Sequence, residues 1–287
     1  MIERYYLGLY EKSMPNNLSL VEKLQTVKAC GFDYLELSID ETEEKLARLD
    51  WNDRQISELK KSIEENGVPI RSICLSGHRK YPLVHPDAAV RQKSLLIMEK
   101  AIVLAAKLGV RMIQLAGYDV YYEPSTAETQ KHFEENLQKC VEIASALGVT
   151  LAFETMEQEF LNTVKKGMYW VNKMRSPYLQ MYPDVGNITN AVNGSATLAA
   201  QDLYEGLGHI VAIHLKEVKP GIYREIPYGE GWVDFDLMIF TAYRMGVRMF
   251  LAEFWYAGQS DWKKNIEYNG IFLRRKICCA FGPTKTK

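Results

Sequence analysis

The chain has 287 residues, 47% of them hydrophobic, and sets 35 Lys and Arg against 36 Asp and Glu for a formal net charge of −1. This length suits one α/β barrel of about 250 residues or more. The near-neutral charge, with no long basic run, excludes the electrostatic footprint of a nucleic-acid-binding protein. No stretch approaches the about 20 apolar residues of a membrane span, and Glu3, Arg4 and Glu11 interrupt the opening segment where a signal peptide would be apolar. A cytoplasmic protein is therefore expected. The five cysteines, Cys30, Cys74, Cys140, Cys278 and Cys279, lack disulfide or zinc spacing.

In chain order, "YYLGLY" from Tyr5 is the first strand-like run, followed by the helical "SLVEKLQTVKAC". The next runs each begin at a helix-ending glycine: "CGFDYLELS" from Cys30, "NGVPIRSICLS" from Asn66, "LGVRMIQLAG" from Leu108 and "LGVTLAFET" from Leu147. Between them lie "DAAVRQKSLLIMEKAIVLAAKL" and "AETQKHFEENLQKCVEIASAL", whose apolar residues return at three- and four-residue intervals. "YLQMYPD" from Tyr178, "LGHIVAIHLK" from Leu207 and "MGVRMFLAEF" from Met245 complete eight. Strand and helix alternating eight times predict a (β/α)8 TIM barrel. An open doubly wound sheet shares the alternation, but no G-x-G-x-x-G follows the first strand and no P-loop occurs. No linker divides the chain, so residues 1–287 are read as a single barrel domain with a C-terminal tail from about 280.

Active sites of such barrels lie at the C-terminal strand ends, and four consecutive strands place a metal-competent group there. They are Glu154 on strand 5, Asp184 on strand 6, His214 on strand 7 and Glu253 on strand 8. Three crowded carboxylates repel one another unless a cation lies among them. Oxygen donors with one imidazole suit Mn2+, Zn2+, Mg2+ or Co2+ without choosing among them.

The segments "AFETME", "YPDVGN", "AIHLKEVKPG", "PYGEGWVDF" and "AEFW" resemble the xylose-isomerase-like barrel superfamily. "ELSIDETEEKLARLDW", "CLSGHRKYPL" and "IQLAGYDVYYE" are similar to the pentulose-5-phosphate 3-epimerases of L-ascorbate catabolism, up to about Gly258. The resemblance implies interconversion of L-xylulose 5-phosphate and L-ribulose 5-phosphate, a metal site of Glu154, Asp184, His214 and Glu253, and proton transfer by Glu154 and Glu253. Which glutamate takes the proton first stays open. It also suggests a homodimer. Glu157, His78, Arg79, Lys216, Lys219 and Glu36, the last read as ending strand 2, are expected substrate contacts. Arg79, Lys216 and Lys219 are the candidates for phosphate. Epimerases of free ketoses in the superfamily carry a histidine and an arginine where this chain has Asn187 and Pro220, which favours a phosphorylated sugar. The alternatives are a hexulose-6-phosphate or free-ketose isomerase or epimerase on the same scaffold, and a non-enzymatic sugar-binding barrel. An apurinic endonuclease would need more histidines than the five present.

Overall fold

The computed structural model describes residues 4–281. Eight parallel strands alternate with helices: β1 Tyr6–Tyr10, β2 Tyr34–Ile39, β3 Ile70–Leu75, β4 Met112–Ala116, β5 Thr150–Glu154, β6 Leu179–Met181, β7 Ile213–Leu215 and β8 Met249–Ala252. The helices are α1 Leu20–Ala29, α2 Glu43–Leu46, α3 Asp53–Asn66, α4 Ala88–Leu108 and α5 Ala127–Leu147, then α6 Val164–Met174, α7 Val185–Ala191, α8 Ala196–Tyr204, α9 Phe235–Arg244 and α10 Trp262–Phe281. The expected C-terminal tail falls mainly on residues 282–287, outside the described residues, and α10 occupies the chain up to them.

Helix ends follow local chemistry. Ser19 and Asn52 close reciprocal capping boxes with Glu22 and Gln55 at the starts of α1 and α3. Gly148 ends α5 at φ 65°, a conformation that would strain a side-chain-bearing residue, and so turns the chain into β5.

The sheet runs β6-β5-β4-β3-β2-β1-β8-β7. Among the described residues, its β6/β7 seam is joined by isolated parallel bridges alone, Met181 to Ile210 and Asp184 to His214. The reason is local: Pro183 has no N–H to donate, but its carbonyl accepts from His214 N at 2.9 Å and restores one rung. Asp184 therefore stands three residues past the end of β6 rather than within it.

Strand residues alternate between two cores. One face packs beneath the helices in the main apolar cluster, which includes Leu7, Leu35, Ile73, Leu151 and Phe250. The other fills the barrel, where Tyr10, Tyr34, Cys74, Ala152, Tyr182, Ala212 and Leu251 meet. Gly8 makes room there, since a Cβ would lie 2.3 Å from the Tyr34 ring. No described helix is long and apolar enough to cross a membrane.

Candidate metal centre and active site

The inward alternation that fills the barrel turns polar at its mouth. Glu154 closes β5, Asp184 is the N-cap of α7, His214 is the middle residue of β7 and Glu253 directly follows β8. All four are buried, and one ligand atom from each lies within 4.8 Å of the others. His214 Nδ1 is 3.1 Å from Glu154 Oε1 and 2.9 Å from Glu253 Oε2. Asp184 Oδ1 accepts from Asn187 N at 2.7 Å, and Asp184 N donates to Thr155 Oγ1 at 3.0 Å. Gln114 Nε2 donates to Glu154 Oε2, while Glu253 N reaches Leu215 O at 3.0 Å.

The electrostatics call for more positive charge than the side chains provide. Burial opposes protonation of His214, yet Glu253, Glu36 and Glu154 outweigh it and hold the imidazole well above its ordinary range. Burial likewise opposes the Lys216 charge, and Asp184, Glu253 and Glu154 overcome it. Even so, burial pushes the Asp184 carboxyl up to about 7. Burial raises Glu253 as well, but Lys216 and His214 together bring it below the usual carboxylate range. Asp184 Oδ2 is buried, 3.0 Å from Lys216 Nζ, and accepts no well-aligned hydrogen bond. Three carboxylates, one imidazole and an oxygen short of donors fit a divalent cation.

The mouth above this cluster is lined by Glu154, Glu253, Lys216, Arg79 and Glu157 among the residues anticipated from sequence. Tyr121 links two of them: its hydroxyl donates to Glu157 Oε1 at 2.8 Å and its ring lies 4.5 Å beneath the Arg79 guanidinium. Lys216 lines the mouth with its ammonium on Asp184, inside the cluster of buried carboxylates.

Three anticipated contacts are placed elsewhere. Glu36 is the third residue of β2, not its end, and is wholly buried behind His214. His78 turns inward from a 3-10 turn at Gly77–Arg79, with Nε2 3.2 Å from the Ser94 carbonyl. Lys219 closes a tight turn through paired backbone hydrogen bonds with Ile222 at 3.0 and 2.8 Å. Neither His78 nor Lys219 lines the mouth.

Other residues at the mouth carried no motif signal: Tyr10, Lys12, Tyr223 and Arg224, with Trp255 forming an outer wall. Trp255 meets Tyr10 edge-on at 6.2 Å and carries the Arg224 guanidinium 5.2 Å over its ring. Tyr223 and Arg224 belong to the long β7–α9 loop, which buried Glu217 anchors by accepting from Gly229 N at 2.9 Å and Val233 N at 3.1 Å. That anchor gives the "PYGEGWVDF" segment a structural reason. Gln114 was detectable in principle, as a polar residue on the inward register of an apolar strand.

A closed parallel barrel with a Glu, Asp, His, Glu cluster at its C-terminal mouth defines the class: the chain belongs to the xylose isomerase-like TIM barrel family, whose family model matches residues 24–276. Within that class it lies among the L-ribulose-5-phosphate 3-epimerases. It is 44% identical over 256 residues to L-ribulose-5-phosphate 3-epimerase UlaE of Shigella boydii serotype 18, covering 89% of each chain. Among solved structures, L-ribulose 3-epimerase superposes with a TM-score of 0.78 at 18% identity, over 99% of this chain and 100% of that one. D-psicose 3-epimerase from Clostridium cellulolyticum H10, crystallised with D-tagatose, gives 0.77 at 17% identity over 95% and 99%. At these identities the two structures establish the shared fold.

Proposed function

We propose that this chain is a metal-dependent 3-epimerase interconverting L-xylulose 5-phosphate and L-ribulose 5-phosphate. The observation that carries the reading is the pair Glu154 and Glu253, each with an oxygen about one hydrogen-bond length from His214 Nδ1, at 3.1 and 2.9 Å.

Inverting C3 of a ketose requires proton removal from one face and return to the other, which one fixed carboxylate cannot do. Glu154 and Glu253 come from β5 and β8, separated around the barrel by β6 and β7, so they approach a sugar in the mouth from different sides. A divalent cation (Mn2+, Zn2+, Mg2+ or Co2+) held by Glu154, Asp184, His214 and Glu253 would supply Lewis-acid stabilisation of the enediolate. Gln114 engages the second oxygen of Glu154 and holds that side chain in place. Glu157 and Arg79, tied through Tyr121, face the sugar, with Lys216 at the floor.

A phosphorylated ketose is favoured over a free one by Asn187. Its side chain is buried, with the amide nitrogen donating to the Thr155 carbonyl at 2.7 Å, and it does not line the mouth where a sugar would lie. The relative from Shigella boydii, named an L-ribulose-5-phosphate 3-epimerase, supports the same substrate. We read the protein as one barrel domain, cytoplasmic and homodimeric; exposed apolar residues such as Phe240, Tyr204 and Leu198 are surface a second copy could cover.

The test is L-ribulose 5-phosphate in D2O with Mn2+, followed by NMR. Metal-dependent deuterium incorporation at C3, with L-xylulose 5-phosphate as product, is expected. Exchange at C1 alone would identify an isomerase, and no exchange would overturn the proposal.

A further inference from the structure

We infer that Glu36, braced by Ser72, is a positioning residue that fixes His214 as a metal ligand through Nδ1, and that Glu36 does not touch the sugar. This rests on the cation site of the proposed function and assigns it an outer layer.

The two residues are paired across the β2/β3 ladder and both are 0% exposed. Ser72 Oγ donates to Glu36 Oε2 at 2.6 Å, and Glu36 Oε1 is 3.0 Å from His214 Nε2. Glu36 Oε2 already accepts from Ser72, and its Oε1 is placed to accept from the ring nitrogen that faces it, so that nitrogen bears a proton. Were a cation to take the place of one ring proton, Glu36 would keep the proton on Nε2 and leave the lone pair on Nδ1. That is the nitrogen turned toward Glu154 and Glu253. The edge-on Tyr182 ring, its centroid 4.7 Å from that of His214, fixes the ring from one side. A ring flip would strand Glu36 without its partner in the barrel interior, where both residues are buried.

The chain of contacts therefore runs Ser72, Glu36, His214 and then the ligand face. Each member narrows the freedom of the next. A substrate contact would have to line the mouth, and Glu36 does not. Partners that orient a ligating histidine typically contribute about 10- to 100-fold in metal affinity.

The experiment titrates the full-length chain and its Glu36→Gln, Glu36→Asp and Ser72→Ala variants with Mn2+, followed by EPR of free Mn2+, and with Co2+, followed by its visible bands. Circular dichroism of each metal-free protein checks the fold. Glu36→Gln is expected to weaken Mn2+ binding by about 10- to 100-fold. Ser72→Ala should lose about 2- to 10-fold with the fold intact, and Glu36→Asp should recover part of the affinity. Nitrogen-15 shifts of the Zn2+-loaded wild type should show His214 with its remaining proton on Nε2, and Glu36→Gln should disturb that pattern. Should Glu36→Gln fail to fold, Ser72→Ala and Glu36→Asp decide the matter by the same titration. Unchanged metal affinity in the folded variants, with KM raised at saturating Mn2+, would overturn the inference and make Glu36 a sugar contact. A wild type that takes up neither ion would overturn the cation site itself, which separates the two failures.

Discussion

Glu11 offers the sharpest test of how the mouth is supported. It lies in the 3-10 turn Glu11–Ser13 that follows β1, is 0% exposed, and gathers three cations. Lys23 Nζ is 2.9 Å and Lys45 Nζ 2.5 Å from Oε1, while Arg48 reaches both oxygens at 2.6 and 2.8 Å. Ser38 N adds a fifth donor at 2.8 Å, so the carboxylate joins the ends of β1 and β2. Burial alone would raise the carboxyl, but Arg48, with Lys23 and Lys45, overcomes it and holds Glu11 far below the usual carboxylate range. Glu11→Gln keeps the shape and removes the charge, leaving three cations facing one another. Breaking a buried pair in this way costs about 3–5 kcal/mol, or roughly 10 °C in Tm at this chain length. The assay is urea unfolding of the metal-free protein at pH 7. Because the folded-state value lies below the unfolded one, the contribution is full above about pH 4.3 and is lost as pH falls toward the folded-state value. Below that window the wild type and Glu11→Gln should converge. A loss under 1 kcal/mol at pH 7, or a gap that does not close in acid, would refute the reasoning.

Three further outcomes are expected. Glu154→Gln and Glu253→Gln should each lower kcat by about 100-fold or more while circular dichroism stays unchanged, measured by C3 exchange in D2O. Burial pushes His78 down to about 4, so it is neutral in the fold while the unfolded chain protonates near 6.5. Stability should therefore fall by up to about 3 kcal/mol between pH 6.5 and 4, a slope that His78→Phe should flatten in urea titrations. Tyr121→Phe removes the donor to Glu157 and should raise KM by about 2- to 10-fold with kcat little changed.

Much of this architecture was legible because the signals were local. Glycines after apolar periodic segments marked helix ends, and a carboxylate or imidazole at the close of an apolar strand marked the mouth, so Glu154, Asp184, His214 and Glu253 could be found from position alone. Glu36 was misplaced because "YLELSI" is apolar on both sides of it, and the end of β2 lies three residues further on at Ile39. His78 and Lys219 sit on the right loops, but which way a loop side chain turns depends on tertiary partners: the Ser94 carbonyl for one, the turn with Ile222 for the other. Tyr121 and Arg224 escaped notice for the same reason, since loop residues have no periodicity to betray them.

The thin β6/β7 seam ties the integrity of the barrel to its chemistry. Its outer rung is the Asp184 to His214 bridge, so two of the four residues proposed to hold the cation are also the last stitch of the cylinder. A cation drawing those side chains together would brace the seam from its open end, and the His214 amide should exchange with solvent more slowly as Mn2+ is added. Drift at either residue would loosen the wall as well as the site, so the barrel cannot lose this pair and keep its closure untouched.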